Sequence, residues 1–197
     1  QAFAMDISQI EALETRDFAS LNTASLAALQ TAQIVAITTA QAQSLATQQV
    51  VALGTAQIAA LETPQDAVAL STNSIAALLT SQVVALTTAQ VAALTTSQVA
   101  QGLSTGQLVA METRDVAVLT TANVAALTTA QVRQGLTTGQ ISVLSTAQIV
   151  ALTSAQVAAL STAQIAQGLT TAQIAAMGNH IDHAMLKQIF RTLEPFR

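Results

Sequence analysis

The chain's only two imidazoles, His180 and His183, stand one helical turn apart with Asp182 between them. Side chains at i and i+3 share a helix face, so the three can close on one metal ion. The set lacks the glutamate and the i, i+4 histidine pair of a zincin-type helix. His180, Asp182 and His183 are thus a thin donor set, and neither a metal nor any other cofactor is expected. Two charged strings, ETRD at 14–17 and at 112–115, gather Glu14, Arg16 and Asp17, and then Glu112, Arg114 and Asp115. Each group offers a cation or partner site on one reading. The plainer reading is a solvated corner with a local ion pair of little energy. Serine and threonine abound, but the imidazoles are confined to the tail, so no set of nucleophile, base and orienter assembles. No glycine loop cradles a phosphate. An enzyme is not expected.

Composition narrows the class further. Half of the residues are hydrophobic (51%), yet only 8% are charged and 2% aromatic. Ordinary soluble domains carry about 25% charged residues, and disordered chains are usually polar and highly charged, so neither description fits. The apolar residues come in short bursts such as VAAL, well below the roughly 18 in a row that a membrane span requires. Cysteine is absent, which excludes disulfides and thiolate metal sites. The net charge is −4, and only Arg16, Arg114 and Arg133 are basic before Lys187. No surface can track a phosphate backbone, so nucleic acid is not an expected partner. The start at Gln1 rather than Met suggests processing or a piece of something longer.

What must position any site is a repeat. One unit reads T-T-A-Q-V-A-A-L, and 21 such units run from Asp6 to Met177. Position 2 is threonine in all but Ile7 and Ser154, and position 8 is always Leu, Ile or Met. Position 5 is Val, Ile, Leu or Phe except in the units holding Ala42 and Ala67, and position 4 is mostly glutamine. Four units have nine residues and begin at 62, 95, 128 and 161, always 33 residues apart. Three of them carry the string QGL, with Gly102, Gly135 and Gly168. A 33-residue period of four units therefore lies over the eight-residue one.

An eight-residue period suits neither a long helix nor a strand. Eight steps of 100° turn the apolar stripe by about 80° per unit, which disfavours a coiled coil. In a strand, positions 5 and 8 would face opposite ways. In a very short helix they share one face at i, i+3. Threonine at position 2 suits the N-cap of such a helix, with position 3 (proline at Pro64) as its first residue. Position 1 can instead form a capping box with Gln at position 4, so the cap register stays open by one residue. Isolated helices this short do not persist, so units must stack. The reading is an all-α solenoid over 1–177, with very short capped helices, four per coil of about 33 residues. About five coils give a rod on the order of 40–50 Å long. The QGL insertions mark one corner, where glycine would admit a positive φ.

The glutamines at position 4, among them Gln33, Gln57, Gln90, Gln131, Gln148 and Gln164, read as a ladder. Their stacked amides would satisfy backbone groups freed at the many helix ends. The threonine array allows a second reading, since a regular Thr/Ala face with almost no charge suits ice or a regular polymer. A cap role at position 2 would occupy those hydroxyls. Beyond the array, residues 178–197 read as a stop at Gly178, an N-cap at Asn179 and an amphipathic helix. Its apolar face is Ile181, Met185, Leu186, Ile189, Phe190 and Leu193. It is expected to cover the open end of the solenoid or to pair with a second chain, with Phe3, Met5 and Ile7 covering the other end.

Units such as LTTAQVAAL and LSTAQIVAL resemble the Thr/Ala/Gln-rich short-repeat arrays of large bacterial surface or secreted proteins of adhesin-like type. The resemblance covers residues 6–177 and implies an extracellular or cell-surface structural role. It carries over no haem ligand, because the array has no His, Cys or Tyr. The expected function is a structural or interaction repeat protein, a spacer or self-assembling element. The alternative is a binding module using the Thr/Ala face. Self-association or another protein, through the C-terminal helix, is the expected partnership.

Overall fold

The computed structural model describes residues 5–61 and 70–178. Over these the chain is an all-α repeat solenoid of twenty short helices, from Ile7–Ala12 to Thr171–Met177, and no strand occurs among the described residues. Pro64, Glu62 and Asp66, Phe3, and the whole tail with His180, Asp182 and His183 lie outside the described residues. The chain divides into two compact units, Gln1–Leu103 and Ser104–Arg197.

The cap register falls at position 1, not position 2. Thr38 has an extended backbone (φ −74°, ψ 156°), and helix Thr39–Ser44 begins one residue later. The Thr38 hydroxyl accepts from the Gln41 N–H at 3.3 Å, while Gln41 Oε1 accepts from the Thr38 N–H at 2.8 Å. This capping box decides the register, since it needs a polar acceptor at the third helical residue. From position 1, that residue is the glutamine. From position 2, it would be the apolar residue of position 5. Where position 1 lacks a cap oxygen, the glutamine half persists: Ala46, Gly54 and Leu79 donate their N–H to Gln49, Gln57 and Gln82.

Positions 5 and 8 form the core. Ile10, Phe18, Leu26, Val50 and Ile58 in the first unit are wholly buried, as are Leu108, Val116, Val124 and Val132 in the second. Within each unit a helix lies against the helix three repeats away: Thr15–Ala19 against Thr39–Ser44, and Thr146–Val150 against Thr171–Met177. Side-chain hydrogen bonds reach the helix four repeats back. Burial weakens at the ends. Leu13 and Leu21 at position 8 of the first coil are only half-buried, as is Ile174 in the last described helix. Ile7 stands in solvent and does not cover the end as expected.

The QGL glycines are explained by space, not torsion. No described glycine has a positive φ, which corrects the corner-torsion expectation. The ninth residue is absorbed as a single π turn, in which the N–H of Leu103, Leu136 and Leu169 reaches back five residues to Gln98, Gln131 and Gln164. The wider turn presses its backbone onto a neighbouring helix. A Cβ on Gly135 would stand 3.1 Å from Leu108 Cβ and 3.4 Å from Thr105 Cα. Gly102 meets Ile75 and Gly168 meets Ile141 in the same way. By contrast, a Cβ on Gly106 would meet nothing within 4 Å. Gly135→Ala is thus expected to destabilise the second unit by ~1–3 kcal/mol through overpacking. Gly106→Ala, inside helix Thr105–Ala110, should stabilise it by up to ~1 kcal/mol. Thermal melts of the two variants read opposite signs, and a shared sign would refute the steric account.

Candidate functional site

The recurring polar device is the glutamine at position 4, which works in two directions. Its oxygen takes the N–H that opens its own helix. Its amide donates to two carbonyls of the repeat four units earlier, one at position 5 or 6 and one at position 8, as Gln49 does to Ala19 and Leu21. Gln41 Nε2 donates to Ile10 and Leu13 at 2.8 and 2.9 Å. Gln57 reaches Leu26 and Leu29, and Gln90 reaches Ile58 and Leu61. In the second unit Gln140 reaches Leu108 and Met111, Gln164 reaches Val132 and Leu136, and Gln173 reaches Ile141 and Leu144. The carbonyl of position 8 lies past the last helical turn, where no helical N–H can serve it. A donor from the next coil therefore closes the backbone ledger of each unit. The ladder expected from the sequence is present, and its rungs are buried: Gln41, Gln82, Gln140 and Gln156 are all at most 2% exposed.

The charged strings diverge. Glu14, Arg16 and Asp17 are exposed, as a solvated corner should be. At the second string Arg114 Nε pairs with Glu112 at 2.7 Å in solvent, but Asp115 is 1% exposed and neither carboxylate oxygen has a hydrogen-bond partner. Arg114 Nε stands 3.7 Å from Asp115 Oδ1. Burial raises the Asp115 pKa above 3.8, and the nearby guanidinium offsets this in part. Asp115 occupies position 4, where a carboxylate accepts but cannot donate as glutamine does. Burial favours the neutral acid, so the folded chain keeps this proton to higher pH than the unfolded chain. The resulting stabilisation is complete below 3.8 and is lost as pH rises through the raised folded value. Asp115→Gln is expected to raise the melting temperature at pH 7 and to flatten the fall in stability above pH 4. A buried unsatisfied group costs ~1–3 kcal/mol, which sets the size of the gain. A variant that melts at or below the parent temperature at pH 7 would contradict it.

The threonines of position 2 are not caps, so their hydroxyls are not spent on helix starts. In the first unit Thr23, Thr55 and Thr88 are exposed, each followed by an exposed alanine, Ala24, Ala56 and Ala89. They recur at the four-repeat interval of the ladder. In the second unit Thr121-Ala122 and Ser154-Ala155 hold the same places and are exposed. Each set is an uncharged Thr/Ala row. Among the described residues no three His, Asp or Glu side chains converge as a metal site would need. No helix among them is long and apolar enough to cross a membrane.

Comparison with known proteins gives one match. The family model of the ALTTAQ repeat fits residues 10–47, 64–96, 108–146, 134–167 and 146–179, well over half of the chain. No curated protein and no solved structure matches.

Proposed function

The chain belongs to the ALTTAQ repeat family, and from that premise we propose that it is a non-enzymatic structural or interaction protein. It acts as a spacer or self-assembling element, secreted or held at a cell surface. The observation that supports this most is the ladder. Within each unit successive coils are fastened by the same glutamine clamp, so the polar chemistry is spent on coil-to-coil contact. The resemblance to adhesin-like bacterial arrays favours an outside location, as does the scarcity of Lys and Arg, which denies trypsin-like proteases their sites. The test is twofold. Sedimentation should show concentration-dependent association or a spacer-like monomer that resists trypsin. A compact monomer that trypsin degrades quickly would sink the reading.

A second reading has support from one observation, the unspent hydroxyls of Thr23, Thr55 and Thr88 beside exposed alanines. On it the row binds ice or a regular uncharged polymer. Partition into growing ice should then fall when Thr55→Lys places a charge in the row. Equal partition of parent and variant would eliminate it.

A further inference from the structure

In the first unit, helix Thr72–Ala77 carries Ser74 at the rung position, where a glutamine would reach the repeat four units back. The next two rungs show what that glutamine would do. Gln82 Nε2 donates to Leu53 at 2.7 Å and Gln90 Nε2 to Leu61 at 2.6 Å, while their oxygens take the N–H of Leu79 and Thr87. The matching groups around Ser74 are the carbonyls of Ala42 and Leu45 and the N–H of Ser71. The Ser74 hydroxyl reaches none of them. It stands 2.8 Å from the Ser71 hydroxyl, whose oxygen also accepts the Ser74 N–H at 3.0 Å. Among the described residues no donor reaches the Leu45 carbonyl and no acceptor takes the Ser71 N–H. The Ala42 carbonyl receives only the Leu45 N–H, at 3.3 Å.

We propose that Ser74, Ala42 and Leu45 form a binding site for one buried water molecule, which does the work of the missing carboxamide. The chemistry matches group for group. A rung carboxamide accepts one N–H and donates two. A buried water makes about three hydrogen bonds to polar groups that would otherwise go unpaired. This one gives its hydrogens to the Ala42 and Leu45 carbonyls and accepts from Ser71 or Ser74. Passing bulk water does not serve these groups, since Ala42 and Ser74 are 1% exposed and Leu45 is 4% exposed. Buried without a partner, each would cost free energy. Room comes from two short side chains in register. Serine stands for glutamine at position 4, and Ala42 holds position 5, where the other described repeats have Val, Ile, Leu or Phe. Space lined by carbon alone stays dry, but two carbonyls and a hydroxyl give a water the partners that hold it. All of these groups belong to the first unit, where helix Thr47–Ala52 also packs against Thr72–Ala77.

The test uses the full chain. Oxygen-17 relaxation dispersion counts long-lived water oxygens and is blind to the exchange of hydroxyl protons. Ser74→Gln supplies the carboxamide and is expected to remove one long-lived water per chain. A crystal structure of the parent locates that water, expected within about 3 Å of the Leu45 carbonyl oxygen. A parent structure with no water on that oxygen overturns the proposal, whether or not the variant folds. A folded Ser74→Gln variant that keeps the parent's count of long-lived waters overturns it as well.

Discussion

Val124→Asp is expected to abolish the cooperative melt of the second unit and most of its helical circular dichroism at 25 °C. Val124 is wholly buried at position 5 of helix Thr121–Ala126, and Leu127 at position 8 is 4% exposed. A carboxylate placed there has no partner, and burying it costs several kcal/mol, comparable to the whole stability of a small domain. Leu127→Asp should act alike. Ala126, one residue before Leu127, is half-buried at position 7, and Ala126→Asp should shift the melt only slightly. The three variants differ in position and not in the group introduced. Similar melting curves for all three would show that positions 5 and 8 are not the core.

Gln156→Ala should cost ~2–4 kcal/mol, from several backbone groups left unpaired at once. The Gln156 amide donates to Val124 at 3.0 Å and also reaches Leu127, and its oxygen takes the Thr153 N–H at 2.7 Å. The side chain is 2% exposed, so water does not replace it readily. Gln156→Glu keeps the oxygen but sets a carboxylate against carbonyls, and should be nearly as damaging at pH 7. Gln134, exposed at position 7 of its unit, is the control, and Gln134→Ala should leave the melt within ~0.5 kcal/mol of the parent. If Gln156→Ala melts with the control, the ladder does not hold the coils together.

Much of this architecture was legible in the residues. The i, i+3 spacing of positions 5 and 8 in an eight-residue period gave the short helices and their inward face. The 33-residue spacing of the insertions matched the four-repeat register in which glutamines meet carbonyls. What stayed hidden had physical reasons. With threonine at both positions 1 and 2, as at Thr87 and Thr88, each is an acceptable cap by type. Only the reach of Gln90 back to the Thr87 N–H separates them. Gly135 announces that a side chain is unwelcome, yet the letter does not say whether torsion or a neighbour forbids it. Leu108 is the neighbour, and it stands 27 residues away. The two ETRD strings are identical on paper, but Asp17 is exposed and Asp115 is buried. That difference belongs to the environment of each coil and not to the string. The candidate metal donors His180, Asp182 and His183 lie outside the described residues.

The direction of the clamp bears on how such a chain is made. Within each unit the ladder amides described above point toward residues translated earlier, as Gln41 does toward Ile10 and Leu13. A coil leaving the ribosome therefore finds its acceptors already fixed in helices synthesised about thirty residues before. Nothing in a completed rung waits for sequence still to come. The array can settle one coil at a time at the pace of synthesis, with only the newest coil's carbonyls awaiting a donor. A ladder pointing the other way would hold each coil's amides idle until the next coil was made.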